Sequence, residues 1–287
     1  MILELLASSL ALGAAYALMA IGFVLVLNAV SAVNFAHGDW VVAGGFLTVA
    51  LAGVLPAPGI VLLPLVVAAM MALGLLAGAG AYLPLRSRPP TSVFVSTIAV
   101  GIVIQNGLTA AFGAAPRATP ALLPGSGIGF AGLSDQQAAT LLAAALIVVG
   151  LGLVLERTRL GRWLRASAQD PEIARSLGIP VTAMTLASFA AAAGLAGAAG
   201  LMTGHALFMT PTDGGTFMLK AYVAVTIGGW GRLTGAVAGA FVIALFEVLF
   251  AGFVSYVWAE AALYAALLLV LAFRPQGLLG EPARVRA

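Results

Sequence analysis

The 287-residue sequence has no cysteine, one lysine (Lys220) and two histidines, His37 and His205. Without cysteine there is no disulfide, no thiolate metal site and no cysteine nucleophile. Two histidines and scattered carboxylates lack metal-ligand spacing, so no metal centre is expected. Charge is scarce as well: 8% of residues are charged, against about 25% in an ordinary soluble domain. Apolar residues make up 62% and the mean hydropathy is +1.11. A compact soluble fold needs a polar skin that this composition does not supply, which excludes a water-soluble enzyme or nucleic-acid binder. Alternation of apolar and polar residues is missing too, which excludes an outer-membrane barrel. A phosphate-cradling G-x-x-x-x-G-K-[ST] loop is absent, so the chain has no ATP-hydrolysing machinery of that kind. His, Asp and Glu are not gathered at one membrane depth, as an intramembrane enzyme would need. No catalytic residue and no cofactor are therefore expected.

What is there is long apolar runs, at roughly 5–27, 40–55, 60–83, 93–113, 137–155, 181–204, 216–230, 233–253 and 256–273. A span needs about 20 apolar residues. The reading is an all-α polytopic membrane protein with eight or nine transmembrane or re-entrant helices, one transmembrane domain over 1–287, and no cleavable leader. The runs at 40–55 and 216–230 are short and predict tilted, broken or re-entrant segments. The 35 glycines fit closely packed membrane helices.

The net charge of +3 and pI near 9.7 rest on twelve arginines, read as loop charges rather than a nucleic-acid footprint. With nine crossings and the loop 156–179 in the cytoplasm, the inner side holds Arg86, Arg88, Arg157, Arg159, Arg162, Arg165, Arg175, Arg232, Arg274, Arg284 and Arg286. The outer side holds Arg117 and Lys220. Positive charge collects inside, so the N-terminus is expected outside and the C-terminus in the cytoplasm.

The polar stretches carry the remaining information. In 156–180, ERTRLGRWLRASAQDPEIARSLGIP, Asp170 is an N-cap and Pro171 fits the first turn, where its missing N–H costs nothing. Glu172 suits the helix dipole there, and Gly178 with Pro180 ends the element. The pattern predicts a helix of about two turns over 171–177, too short to be stable alone. It either tidies a loop at the membrane surface or docks a cytoplasmic partner. The segment Asn34-Phe35-Ala36-His37-Gly38-Asp39-Trp40 interrupts two apolar runs. It reads as a structured turn near the inner surface, or as a gate. Asp39 would cap a helix starting at Trp40, His37 would bond a backbone carbonyl, and Trp40 suits the interface belt. A second break, Thr210–Gly215, precedes the other short run on the opposite face, as inverted halves would have it, though no residue-level repeat is visible.

Inside the runs, Gln105, Asn106, Glu247 and Glu260 stand out. An ionisable group at mid-bilayer costs about 2.5–3.5 kcal/mol on insertion scales, so these residues face protein or water. Gln105 and Asn106 are candidates for hydrogen bonds across helices; Glu247 is either bonded structurally or lines a path, and Glu260 lies near the outer end. Gly231, Gly235 and Gly239 recur every four residues and predict close packing along one helix face.

The stretch 165–179, RASAQDPEIARSLGI, closely resembles the cytoplasmic coupling loop of the permeases of branched-chain amino acid ABC importers, the LivH type. Residues 13–45, GAAYALMAIGFVLVLNAVSAVNFAHGDWVVAGG, are similar to the opening of that family. So are 225–247, VTIGGWGRLTGAVAGAFVIALFE, and 273–282, FRPQGLLGEP. The resemblance implies a permease subunit in the inner membrane of a bacterium. Its partners would be ATP-binding cassette subunits, a homologous second permease and an extracytoplasmic binding protein. The coupling helix would be built on Ala168, Asp170, Pro171, Glu172, Ala174, Leu177 and Gly178, with Ala174 and Leu177 entering a partner pocket. The gate or pathway candidates are Asn34, His37, Asp39, Gln105, Asn106 and Glu247. A urea or short-amide permease of the same family, or an ion-coupled secondary transporter using Glu247, are the alternatives.

Overall fold

A computed structural model describes residues 2–123, 125, 133–274 and 277; Arg284, Arg286 and most of the 273–282 ending lie outside the described residues. The apolar runs become nine helices: α1 (Ile2–Val30), α2 (His37–Val54), α3 (Gly59–Ala77), α4 (Pro90–Phe112), α5 (Asp135–Arg157), α8 (Val181–Leu207), α9 (Gly214–Gly228), α10 (Leu233–Phe253) and α11 (Tyr256–Phe273). Two polar helices, α6 (Arg159–Gln169) and α7 (Pro171–Ser176), fill the basic loop. A π-turn at Gly78–Tyr82 and a 3-10 turn at Leu83–Leu85 prolong α3. Among the described residues seven helices are long and apolar enough to cross a membrane; α9, with 15 residues, falls short of that length.

Burial sorts these helices into a centre and a shell. Helix α1 is apolar all round and buried along most of its length, the mark of a helix packed on every side. It packs on α8, α10, α5 and α9, while α8 packs on α1, α2 and α3. Helices α4 and α5 present most of their surface outward. Small residues let the central helices approach. A Cβ at Gly197 would meet Met70 of α3, one at Gly44 would overlap Gly197, and one at Gly239 would overlap the Ala224 carbonyl. The predicted glycine face is thus two residues rather than three. Gly235 and Gly239 pack on α9, but Gly231 lies in the preceding turn at φ +76°.

The two short runs give helices that start inside the bundle. Gly22 sits eight residues from the end of α1, about 12 Å at 1.5 Å per residue, and a Cβ there would meet the His37 ring. Residues 31–36 therefore lead from the end of α1 back into the interior, where α2 begins. From the other side, residues 208–213 lead inward from the end of α8, and α9 begins at Gly214, packed against Asp39. The breaks enter from opposite faces, as the sequence suggests, but their helix starts meet. Helix α9 has 15 residues, a rise of about 22 Å against a hydrocarbon core of about 30 Å, so it is too short to cross that core alone.

Candidate functional site

Three groups of polar residues stand out in this scaffold. The first is the α6–α7 corner. Asp170 Oδ1 accepts from the Glu172 and Ile173 N–H groups, both at 2.9 Å, and Pro171 takes the first turn. At the other end Gly178 adopts φ +79°, where a side chain would be strained, and Ile179 N donates to Ala174 O at 3.0 Å. The helix is six residues long, with Leu177 as its cap. Glu172 faces outward and Ala168 is half-buried. One expectation is corrected here. Ala174 is 2% exposed and faces this chain, so it is not free to enter a partner pocket. The outward apolar pair is Ile173 and Leu177, at 60% and 74% exposure. Ile173 was legible as the residue four before Leu177, hence on the same face.

The second group surrounds the junction of α2 and α9. Asn34 Oδ1 accepts from Ala36 N at 3.2 Å, and Thr97 Oγ1 of α4 accepts from Phe35 N at 3.2 Å. His37 Nε2 donates to Met19 O at 2.9 Å, tying the start of α2 to α1. Helix α2 begins at His37, so Asp39 lies within its first turn and is not an N-cap. Its carboxylate accepts from Gln105 Nε2 of α4 at 3.0 Å. It is also wedged between Gly101 and Gly214, where any added Cβ would strike it. Two helix N-termini at one point favour a negative charge there. Trp40 is 1% exposed and packs near His37 and Phe189, so it belongs to the core and not to an interface belt. Asn106 turns outward and donates to Ile102 O of its own helix at 2.8 Å, where a bond across helices was expected. Thr210 N and Oγ1 both donate to the Asp213 carboxylate, at 2.6 Å each, and shape the approach to α9.

The third group was only half legible. Glu247 on α10 pairs with Lys220 on α9 at 2.7 Å. Lys220 Nζ also donates to Tyr16 OH at 2.9 Å, and that hydroxyl donates to the other Glu247 oxygen at 3.1 Å. Lys220 is therefore not an outer-face charge; it is 6% exposed in the interior. The signal was present in the sequence. A lone lysine in one apolar run and a glutamate in the next are each costly alone and cheap as a pair. Both Glu247 oxygens are engaged by these partners, which leaves the group tying α1, α9 and α10. Glu260 instead accepts from Tyr264 at 3.0 Å on an exposed face.

The three groups do not merge. The α6–α7 corner stands at one end of the molecule, the junction lies inside, and the triad shares α1 and α9 with the junction but is built on different residues and adds α10. Among the described residues no group of His, Asp and Glu is arranged to hold a metal.

The model of the permease component of branched-chain amino acid transport systems matches residues 5–272. The high-affinity branched-chain amino acid transport system permease protein BraD of Pseudomonas aeruginosa is 30% identical, over 98% of this chain and 96% of its own. The corresponding LivH protein of Escherichia coli K12 is 29% identical over the same shares. A probable branched-chain amino acid transport permease protein of Methanocaldococcus jannaschii is 25% identical over 81% of this chain and 76% of its own. No solved structure matches. With the family model and the first of these relatives covering nearly the whole chain, and with eight apolar helices packed about the buried α1, the chain belongs to the family of branched-chain amino acid transport system permease components.

Proposed function

We propose that this chain is the membrane-spanning permease subunit of an ATP-driven importer, and that it passes branched-chain amino acids from an extracytoplasmic binding protein to the cytoplasm. Hydrolysis belongs to separate ATP-binding cassette subunits, and a homologous second permease completes the transmembrane body. The observation that carries this reading is α7. It is a short rod, capped by Asp170 at one end and by Gly178 at the other, that turns Ile173 and Leu177 to solvent. A two-turn helix with no companion on its apolar face is marginal, and a groove in an ATP-binding subunit would cover it. Closure of two such subunits on ATP would then move α7, and with it α6 and α8. The sequence supplies no ATP-hydrolysing loop of its own, which agrees with an external motor.

The path is assigned to the side of the α2–α9 junction that faces α4. Asp39 and Gln105 join the three helices there, and Asn34 and His37 pin the break. Asn106 lies on the outward face of α4, where hydrocarbon would be a poor neighbour for an amide. Helices that begin in the middle of the membrane are hinges by construction, since a few loop residues absorb the change. The interior is otherwise poor in unpaired charge, as suits an aliphatic substrate handed over by another protein. The basic loops at the α6 end support a cytoplasmic placement for that end, with the N-terminus outside and the C-terminus inside, in the inner membrane of a bacterium.

Ile173→Asp together with Leu177→Asp tests the docking role. The double variant should insert normally, fail to retain the ATP-binding subunit on co-purification, and transport at under a tenth of the wild-type rate. Normal retention and normal uptake would overturn the docking role.

A further inference from the structure

Helices α5 and α10 both pack on α1 but barely on each other. Between them a lateral cleft opens, floored by α1 and α8. At the end that carries α6 the cleft holds a chamber of about 320 Å3, walled by Ile21, Leu25, Leu151, Leu155, Leu164 and Val237. The chamber runs into a mixed compartment of about 480 Å3 that shares Asn28, Arg165 and Ala168 with it and adds Ser31 and Gln169 beside Leu27 and Trp230. Arg165 stands at the border, its guanidinium donating to the Leu155 carbonyl. The combined space has the profile of an amphiphile: hydrocarbon room below, hydrogen-bonding room above, and the Arg165 cation at the border, with the Glu156 carboxylate also on the chamber wall.

Helix α6 forms the lip of this cleft and has the composition of an interfacial helix. At 100° per residue, Leu160, Trp163 and Leu164 share one side, and Arg159, Arg162 and Arg165 share another. Leu160 and Trp163 are each 41% exposed. A basic face opposite a Trp and Leu face is the pattern of a helix lying among charged headgroups. The chamber is also separate from the proposed path. Helix α1 turns Met19 and Gly22 to His37, but Ile21, Leu25 and Asn28 to the cleft.

We propose that this cleft is a built site for one anionic phospholipid, with its phosphate on Arg165 and an acyl chain in the chamber. The guanidinium fork matches a phosphate in charge and geometry, and the neighbouring arginines of α6 set the preference for a negative headgroup. This rests on the membrane placement proposed above, not on the identity of the transported solute.

The test uses the full-length chain in mild detergent with equal amounts of phosphatidylglycerol and phosphatidylcholine, with bound lipid read by native mass spectrometry. The wild-type chain should hold one phosphatidylglycerol in preference to phosphatidylcholine. Arg165→Gln should reduce that preference about fivefold. Gly152 lines the chamber, and a Cβ there meets nothing within 4 Å. Gly152→Phe should therefore fill the chamber and release both lipids while the melting temperature stays within a few degrees. Val148→Trp, from the same wall, is the second variant should the first misfold. Equal retention of the two lipids by the wild-type chain, or undiminished retention by a folded chamber-filling variant, overturns the proposal. Displacement of the lipid by excess leucine, by inorganic phosphate or by the ATP-binding subunit also overturns it, reassigning the space to solute, to a free anion or to a protein. Uptake is not read in this assay, so a failure of the transport reading leaves its result intact.

Discussion

Lys220 and Glu247 lie 27 positions apart on neighbouring helices and close a three-membered network with Tyr16. Breaking a buried pair from one side leaves a naked charge and costs roughly 3–5 kcal/mol, whereas replacing both partners with apolar residues of similar volume is often neutral. Glu247→Gln is therefore expected to lower the melting temperature in detergent sharply, and Lys220→Met with Glu247→Leu to recover most of it. A double variant no more stable than the single one would show that the charges themselves are needed. At the junction, Gly214 has no room for a side chain, because its Cβ would strike the Asp39 carboxylate. Gly214→Val should push Asp39 away from Gln105 and impair transport more than Asp39→Asn, which retains the hydrogen bond and most of the shape. Uptake rates of the two variants at matched expression check this order.

Among the elements, α7 depends most on its ends. With six residues it holds little helical hydrogen bonding of its own, so the Asp170 cap is a large share of its stability. Asp170→Ala should cost about 1 kcal/mol locally, fraying α7 and lowering coupled ATP turnover without loss of membrane insertion. Substrate-stimulated ATPase activity of the reconstituted complex would report it; unchanged stimulation would mean that α7 is held by its surroundings alone. This element was readable from the sequence because each of its signals is local: an Asp cap, a Pro at the first turn, a Gly stop. Its working face was not. Which of Ile173, Ala174 and Leu177 turns outward is decided by how α7 lies against the rest of the chain, and Ala174 went inward. Likewise Trp40 had the composition of an interface residue and lies in the core, because α2 starts inside the bundle and carries it there.

For the molecule as a whole, the absence of cysteine makes the topology directly testable. Ser87→Cys and Ala115→Cys both fall on exposed connecting segments, at opposite ends of α4. In intact cells a membrane-impermeant maleimide should label the second and spare the first. The reverse pattern would invert the orientation read from the arginines. The helical character of the apolar runs was legible because a 20-residue apolar run has few other places to go, and the expected orientation rests on where the arginines collect. Lys220 was assigned wrongly on the same principle. The rule counts loop charges, and a charge inside a helix obeys pairing instead.

Composition and local pattern thus determined that the chain is a bundle of apolar helices, where each begins and ends to within a few residues, and that one capped rod stands on a basic loop. These outcomes follow from free energies assigned residue by residue: hydrocarbon transfer, caps and turns. Only the tertiary structure decided that two breaks far apart in the chain meet at Asp39, that the sole lysine finds Glu247 through Tyr16, and that a cleft opens between α5 and α10. Those outcomes depend on which helices lie side by side, and that choice is made by close packing of small residues over many weak contacts, none of which carries its partner's address in its own neighbourhood.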